Sequence, residues 1–232
     1  MADYDSSTPL YDFMPVHWSD SLRGTIPLLW GINPNLTETY PDIIEYLYST
    51  QSGNDYFGAD ASAAGYMNPN RIEKKYLPLF IDHNRKFYKQ LDITLSPMVL
   101  DWDEPTADVK DAFTQFSPDG FATIVLDMHD NGGKAPAPHV WKGMPVMELI
   151  NSACNFSSAD QESDAMSGSI SKKTKGKPGF YFFRIVWTSP SGVIETIDML
   201  KKKRPELDIE LADPYNFFRM FRDYYTDKSG MK

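Results

Sequence analysis

The stretch Pro27-Leu28-Leu29-Trp30-Gly31-Ile32 is a continuous run of apolar and small residues that ends at the polar residue Asn33. Such a run is typical of a strand that is buried on both faces of a parallel sheet, because it lacks the alternation of half-exposed strands. A helix start signal follows at Thr39-Tyr40-Pro41. A buried strand followed by a helix is the repeating unit of α/β proteins. The stretch therefore predicts an α/β fold with parallel strands.

The same alternation of strand and helix continues along the chain. Further runs that we interpret as strands are Ile93–Leu100, Ala122–Met128, Phe180–Trp187 and Leu207–Leu211, with a stub at Met1-Ala2. The predicted helices are Pro69–Leu91, Ala107–Phe116, Pro190–Lys203 and Pro214–Tyr225. Three of these helices begin at a proline that follows Asn, Ser or Asp, which is a common signature of a helix N-terminus. The pattern predicts βα units around a parallel sheet.

Composition excludes several classes of protein. The chain has 232 residues and a net charge of −9, which fits one globular domain and disfavours binding to nucleic acid or acidic membranes. No apolar stretch approaches the roughly 18 residues that a membrane span requires. The single cysteine, Cys154, excludes an intramolecular disulfide and a cysteine-based metal site. Neither a dinucleotide nor a phosphate-loop motif is present, and the histidines lack metal-binding spacing, so no cofactor and no metal are predicted.

Two segments interrupt the alternation of strands and helices. His129–Gly143 is a long Gly/Pro-rich stretch, and loops of that length in compact domains are usually functional or disordered. Ser157–Lys177 is polar and low in aromatic residues, so we expect residues 157–177 to form a flexible surface segment within a single domain of residues 1–232.

Carboxylates and aromatic residues recur at the predicted carboxyl ends of the strands, where ligands bind in parallel βα folds. These residues are Asp3, Asp5, Trp30, Asn33, Asp101, Trp102, Asp127, His129 and Trp187. Two carboxyl groups that flank the scissile bond, one as acid and one as base or nucleophile, are the machinery of glycoside hydrolysis. Aromatic faces provide a surface for sugar rings. We therefore rank Asp5, Asp127 and Asp101 first as catalytic residues, with Asp3, Asp60 and His129 in reserve.

Small residues precede the longest predicted helix in the segment Asp60-Ala61-Ser62-Ala63-Ala64-Gly65-Tyr66-Met67-Asn68-Pro69. Small side chains allow a backbone to approach a ligand closely, and the N–H groups of a helix N-terminus can hold an oxygen atom or an anion. The alternative is a tight turn that Asn68 caps, with Tyr66 packed against the domain.

This segment resembles the signature of the GxGYxYP putative glycoside hydrolases. The seven positions read Ala63-Ala64-Gly65-Tyr66-Met67-Asn68-Pro69, so the second Gly, the first Tyr and the Pro are kept, while Ala63 and Asn68 replace the first Gly and the second Tyr. Ile26–Pro34, Asn54–Phe57 and the order of elements down to Asp213-Pro214-Tyr215 are also similar to the C-terminal domain of that family. The resemblance extends from Asp3 to about Tyr225.

The resemblance implies a (β/α)-barrel-like catalytic domain that acts on an oligo- or polysaccharide, in bacteria that export such enzymes to the periplasm or the medium. A complete barrel has eight strands in about 250 residues, so we expect a barrel that is incomplete or has fewer than eight strands, with an N-terminal segment or domain missing before Met1. The residues expected to contact sugar rings are Trp30, Tyr66, Trp102 and Trp187, and those expected to bind hydroxyl groups are Asn33 and Asn68.

Two other hypotheses stay open. The departures from the family motif at Ala63 and Asn68 would fit a carbohydrate-binding domain without catalysis. Alternatively, Asp3 and Asp5 could support metal-assisted hydrolysis of a phosphate or acyl ester, because carboxylate oxygens are ligands for Mg²⁺ and Ca²⁺.

Overall fold

A computed structural model describes residues 2–101, 104–125, 134–154, 158–173 and 179–229. The strands are β1 (Ala2–Tyr4), β2 (Leu28–Ile32), β3 (Asp55–Ala59), β4 (Leu95–Asp101), β5 (Gly120–Val125), β6 (His139–Trp141), β7 (Met144–Glu148), β8 (Ile150–Cys154) and β9 (Phe183–Val186). The helices are α1 (Ser7–Asp12), α2 (Met14–Trp18), α3 (Leu36–Thr39), α4 (Pro41–Thr50), α5 (Leu77–Leu91), α6 (Ala107–Phe113), α7 (Ala159–Lys173), α8 (Pro190–Lys203) and α9 (Pro214–Ser229). Two 3₁₀ turns, Pro69–Arg71 and Lys74–Tyr76, precede α5.

The strands form two sheets. The first has the order β3-β2-β1-β9-β8 and is parallel throughout, and the second has the order β4-β5-β7-β6 and is parallel except for the β6–β7 hairpin. Only Leu149 separates β7 in the second sheet from β8 in the first. At the other side, the Ser62 N–H after β3 donates to the Met98 carbonyl of β4 at 2.9 Å. The α/β class with parallel strands is therefore confirmed.

We expected a barrel that is incomplete or has fewer than eight strands. The described residues form nine strands in two sheets and no closed barrel, because no ladder joins β3 to β4 or β8 to the second sheet. Pro97 of β4 lies against Gly58 of β3, where a Cβ on Gly58 would lie 2.9 Å from the proline Cγ. Proline has no N–H to donate to a neighbouring strand, and it occurs mainly at sheet edges. The register of β4 with β5 also shifts between Ser96 and Val99. Pro97 thus gives the second sheet an edge at this position.

The buried residues form two cores. The outer core lies between the sheets and the helices, and the inner core joins side chains from both sheets to α9. Members of the inner core are Leu29, Ala61, Leu95, Met98, Ala122, Ile124, Met147, Leu149, Phe182, Phe218 and Phe221. Along β2, Leu28 and Trp30 belong to the outer core and Leu29 to the inner core, as the two-residue period of a strand requires.

Helix α9 closes the amino ends of the strands. Its Phe218 and Phe221 are fully buried in the inner core. Gly120, the first residue of β5, packs so closely on Phe218 that a Cβ would lie 2.7 Å from the ring. The opposite ends of the strands are therefore the ones that can remain open to a ligand.

Two predicted elements differ from the structure. The helix predicted at Pro69–Leu91 begins only at Leu77, because Pro78 in its first turn would clash with the carbonyl four residues earlier if the helix extended further back. The strand predicted at Leu207–Leu211 is wrong. Leu207 and Ile209 pack against the outer core from an irregular segment that pairs with no described strand. Their alternation with charged residues therefore results from this packing alone.

Within residues 157–177, which we expected to form a flexible surface segment, Ala159–Lys173 form helix α7. Ser158 and Gln161 form a reciprocal cap: the Ser158 N–H donates to Gln161 Oε1 at 3.0 Å, and the Gln161 N–H donates to Ser158 Oγ at 3.3 Å. Met166 and Ile170, four residues apart, bury one face of the helix in the outer core. The polar composition hid this narrow apolar face.

The long loop predicted at His129–Gly143 contains strand β6, which turns into β7 through Lys142-Gly143. Both turn residues have positive φ, 48° and 89°, as two-residue hairpin turns require. Residues 126–133 lie outside the described part of the chain. Across the described residues, no helix is long and apolar enough to cross a membrane.

Candidate functional site

The carboxyl ends of the first three strands bring polar residues into one row. β1, β2 and β3 end at Tyr4, Ile32 and Ala59, which are register partners. The residues that follow them are Asp5, Asn33 and Asp60. The Asp60 N–H donates to the Ile32 carbonyl at 2.9 Å, so the pairing continues past the last residue of β3. Because neighbouring strands lie about 4.8 Å apart, we expect the three residues to form a row roughly 10 Å long.

The three members of this row differ in burial. Asp5 is partly exposed. Asp60 is fully buried, and its Oδ1 accepts the Ala61 N–H at 2.8 Å. Asn33 is buried, and its Oδ1 accepts the Asn35 N–H at 3.1 Å. Asn33 and Asp60 therefore shape the backbone of the edge, and Asp5 is the member of the row that is partly exposed.

The loop after β3 holds an unusual backbone. Ala61, Ser62 and Ala63 have φ values of 54°, 72° and 72°, a region in which a side chain costs roughly 1–2 kcal/mol per residue. Such strain persists only where the surroundings determine the conformation, and it clusters at functional sites. The strained residues lead directly into the segment that resembles the family signature.

Asn84 of α5 holds this loop in place. It is fully buried, its Oδ1 accepts the Ala64 N–H at 2.7 Å, and its Nδ2 donates to the Phe80 carbonyl at 2.8 Å. Sequence reasoning missed this residue. The sequence does contain a signal for Asn84, because it lies between Phe80 and Phe87 on the buried stripe of α5. A polar side chain in an apolar stripe needs a hydrogen-bonding partner.

Of the motif residues after the loop, Tyr66 lies on the surface and Asn68 has a structural role. Tyr66 is 63% exposed, so its ring is available to a ligand. Asn68 Oδ1 accepts the Asn70 N–H at 3.0 Å and caps the first 3₁₀ turn. Asn68 therefore caps a turn, as the alternative interpretation of this segment predicted.

The two described tryptophans of the predicted set lie in different surroundings. Trp187 follows β9 with a φ of 50°, is partly exposed, and stacks on Phe13 with ring centroids 4.3 Å apart. Trp30 is fully buried in the outer core, where its indole N–H donates to Asp55 Oδ1 at 2.8 Å. Because burial leaves neither face of Trp30 open, the expected contact of Trp30 with a sugar does not fit this structure.

The other candidates lie on the same edge or outside the described residues. Asp3 is on β1 as the register partner of Gly31, and Asp101 ends β4 as the partner of Val125. Trp102, Asp127 and His129 fall outside the described residues. The described part of the edge therefore aligns Asp5, Asn33 and Asp60, whereas Trp187 packs on Phe13 against the outer core.

Arg184 is a residue that sequence reasoning missed. It is the only Lys or Arg in the strands of the described residues. Phe182 before it belongs to the inner core, whereas Phe183 and Ile185 beside it pack in the outer core. The period of the strand therefore directs Arg184 to the inner side. The sequence signal for Arg184 was its position as the single cationic residue in an otherwise apolar run.

Two buried titratable groups lie in the helical layer behind the edge. The hydroxyl of Tyr4 is 2.6 Å from His17 Nδ1, and burial lowers the pKa of His17 against the opposing effect of Asp20. Burial likewise raises the pKa of Glu162 on α7, against a hydrogen bond from Thr196 Oγ1 at 3.0 Å. These groups support the fold around the edge.

A surface depression of about 200 Å³ lies in this helical layer, between α4 and the end of α5. Its lining includes Tyr48, whose hydroxyl donates to the Leu91 carbonyl at 2.6 Å and whose pKa is raised by burial. None of the row residues lines this depression. It is therefore separate from the candidate site.

Two solved structures have a fold similar to that of this chain. A putative hydrolase from Bacteroides thetaiotaomicron has a similar structure, with a TM-score of 0.72 and 17% identity over 96% of this chain and 44% of that chain. This chain thus spans less than half of that protein. A putative polysaccharide deacetylase from Mycobacterium smegmatis gives a TM-score of 0.52 and 8% identity over 95% of this chain and 76% of that chain. At these identities the likeness concerns the fold alone.

No match was found among curated protein sequences. The family model of the GxGYxYP putative glycoside hydrolase C-terminal domain matches residues 1–222, nearly the whole chain. The order of the elements and the motif loop described above lie within this match. The chain therefore belongs to the family of the GxGYxYP putative glycoside hydrolase C-terminal domain.

Proposed function

We propose that the chain hydrolyses glycosidic bonds of an oligo- or polysaccharide at the carboxyl edge of its parallel strands. The observation that carries the proposal is the row formed by Asp5, Asn33 and Asp60, which lies beside the strained loop at Ala61–Ala63. Membership in a family named for glycoside hydrolysis supports a carbohydrate substrate. Carboxyl groups at the open end of the strands are the feature that this chemistry requires, since two of them must flank the scissile bond.

In this proposal Asp5 is the base or nucleophile, because its carboxyl is partly exposed at the edge. Its partner acid comes from the second sheet, where Asp101 ends β4 and Asp127 follows β5. One carboxyl group would protonate the leaving oxygen while the other activates water or attacks the sugar. Asp3, Asp60 and His129 are the reserve candidates.

Tyr66 and Trp187 would contact the sugar rings. In the order of the first sheet, Tyr66 follows the outermost strand β3, and Trp187 follows β9 on the other side of β1. Strand β1, which leads to Asp5, therefore lies between the strands that precede the two aromatic residues. A ligand that reaches both would extend over more than one strand spacing, which favours an oligosaccharide over a single sugar.

The test is a panel of oligosaccharides and polysaccharides, with new reducing ends as the readout. Asp5→Asn should lower kcat/KM about 10²–10⁴-fold, since this is the usual contribution of an acid or base. Asp12→Asn, which changes an exposed aspartate of α1, is the matched control and should leave the rate nearly unchanged. If Asp5→Asn stays within about tenfold of the unaltered protein, Asp5 is not catalytic. Binding of a glycan without cleavage would favour the carbohydrate-binding alternative.

A second candidate is the metal-assisted removal of an acyl group from a carbohydrate. Two observations favour it: Asp3 and Asp5 lie two positions apart at the end of β1, and one protein of similar fold is a putative polysaccharide deacetylase. Release of a free carboxylic acid without new reducing ends, abolished by a chelator and restored by a divalent cation, would select this candidate. New reducing ends that are insensitive to a chelator would reject it.

A further inference from the structure

The carboxyl ends of β3 and β4 belong to different sheets. No ladder joins these two strands within the described residues, so strand pairing does not fix the second sheet against the first at this position. Just after β3, the Ser62 N–H donates to the Met98 carbonyl of β4 at 2.9 Å. Contacts between the segments that follow the two strands therefore help to determine how far apart the two edges lie.

Asn70 connects the segment after β3 with the segment after β4. Its Nδ2 donates to the Glu104 carbonyl at 3.3 Å, and its Oδ1 accepts the Thr106 N–H at 3.0 Å. These two backbone groups flank Pro105, which has no N–H of its own. One side-chain amide thus donates to one backbone group and accepts from the other, as the backbone of a neighbouring strand would.

The structure on both sides of this contact is capped. Asn70 lies in the 3₁₀ turn Pro69–Arg71, and its N–H donates to Asn68 Oδ1 at 3.0 Å. Asn68 is the residue that replaces the second Tyr of the family motif. On the other side, Thr106 Oγ1 accepts the Val109 N–H at 3.3 Å and caps α6. The contact therefore joins a capped turn of the motif segment to the capped start of a helix.

We propose that Asn70 is a positioning residue that fixes the carboxyl edge of the second sheet against that of the first. This inference rests on the proposed function, in which Asp5 comes from the first sheet and its partner acid, Asp101 or Asp127, from the second. Glu104 follows Asp101 by three positions, so a contact that holds Glu104 limits the movement of the end of β4. The spacing of the two carboxyl groups has narrow limits, about 5–5.5 Å or about 6.5–9.5 Å, in the two mechanisms of glycoside hydrolysis.

The first test needs no substrate. Amide hydrogen exchange, followed by NMR in the full chain, should accelerate about 3–10-fold at Thr106 in Asn70→Ala, because the Thr106 N–H loses its acceptor. Asn70→Asp keeps the acceptor and loses only the donor to Glu104, so it should change this exchange less. Lys74→Ala is the matched control, since it removes an exposed ion pair with Asp108 between the same two segments, and it should leave the exchange unchanged. Unchanged exchange at Thr106 in Asn70→Ala overturns the proposal.

The second test separates positioning from stability. In the hydrolysis assay, Asn70→Ala should lower kcat about 10–100-fold with KM nearly unchanged, since a misplacement of about 1 Å can cost about 100-fold. Its thermal unfolding midpoint should fall by only about 2–4 °C, because Asn70 is partly exposed and water replaces the lost hydrogen bonds. Asn70→Asp should retain more of the rate than Asn70→Ala.

Two results of the hydrolysis assay overturn the proposal. One is a kcat of Asn70→Ala within about threefold of that of Lys74→Ala, and the other is a loss of kcat no larger than the unfolded fraction explains. If the unaltered protein hydrolyses no glycan, the proposed function fails, while the exchange at Thr106 still decides whether Asn70 holds the two edges together.

Discussion

The two ends of the parallel strands differ in the burial of their polar side chains. At the amino end, the Asp55 carboxylate contacts Arg23 and accepts hydrogen bonds from the Trp30 indole at 2.8 Å and the Ser52 N–H at 2.7 Å. On the inner side of the same end, Phe218 and Phe221 are fully buried. At the carboxyl end, Asp5 is partly exposed and the loop after β3 is strained. The amino end supplies stability, and the carboxyl end keeps groups available for chemistry.

The largest expected effect comes from breaking the amino end at Asp55. Asp55→Ala leaves Arg23 and the Trp30 indole without their buried acceptor, and loss of one partner of a buried pair costs about 3–5 kcal/mol. Urea unfolding measures this loss. Asp82→Ala, which removes an exposed aspartate of α5, should change stability little. If Asp55→Ala lowers the free energy of unfolding no more than Asp82→Ala does, the amino end of the strands does not supply the stability of the fold.

The next effect concerns the contact of Gly120 with α9. Gly120→Ala places a methyl group 2.7 Å from the Phe218 ring and should cost about 1–3 kcal/mol through overpacking. Phe218→Leu, which shortens the opposing side chain, should recover part of that cost in the double variant. Strictly additive losses in thermal unfolding would mean that the two residues do not press on each other.

A smaller loss of stability with a larger loss of activity is expected at Asn84. Asn84→Ala leaves the buried Ala64 N–H unsatisfied and should cost about 1–2 kcal/mol. Because the strained loop then loses its anchor, hydrogen exchange at Ala64 and Gly65 should accelerate and hydrolysis should fall by more than the unfolded fraction explains. If activity per folded molecule is unchanged, the conformation of the loop does not matter for catalysis.

The smallest effect is the pH dependence due to Glu162, the buried acid of the helical layer. Thr196 Oγ1 lies 3.0 Å from Glu162 Oε2 and 2.9 Å from the Gly192 carbonyl, so its one proton cannot serve both acceptors well. The hydrogen bond that Glu162 accepts from Thr196 is therefore shared with the Gly192 carbonyl. Burial raises the pKa of Glu162 above its ordinary value of 4.5, and the shared hydrogen bond opposes this shift only in part.

Because the folded protein holds this proton more tightly than the unfolded chain, stability is fully present below pH 4.5 and is lost as pH rises through the raised pKa. Glu162→Gln should remove that loss and stabilise the protein at neutral pH. Glu195→Gln, an exposed position on α8, serves as the control in thermal unfolding at several pH values. A destabilised Glu162→Gln protein at neutral pH would mean that Glu162 is ionised and well paired.

The sequence predicted the elements whose signals are local. Strand β2 was visible as a continuous apolar run, and α8 was visible from Ser189-Pro190 at its start. Strand β3 was not, because it begins with the buried charge of Asp55 and ends in small residues. Helix α7 was hidden because Met166 and Ile170 are its main apolar contacts in a polar stretch.

The candidate site was predictable only in part, because local sequence signals do not fix contacts between distant segments. Asp5 and Asn33 followed from their places after apolar runs, as residues at strand ends. Their alignment with Asp60 depends on the register of three strands, which are distant in sequence and which no local pattern fixes. The supporting contact of Asn84 with Ala64 spans 20 residues and needs the packing of α5 against the loop.

The central claim is that the carboxyl edge of the strands binds the carbohydrate. The most direct measurement is amide NMR of the Asp5→Asn protein titrated with an oligosaccharide that the unaltered protein cleaves. We predict that the largest shifts fall on Asn33, Asp60, Gly65 and Trp187, while Phe218 and Phe221 at the amino end stay unperturbed. Shifts concentrated on α9, or on the depression beside Tyr48 and Leu91, would contradict the account.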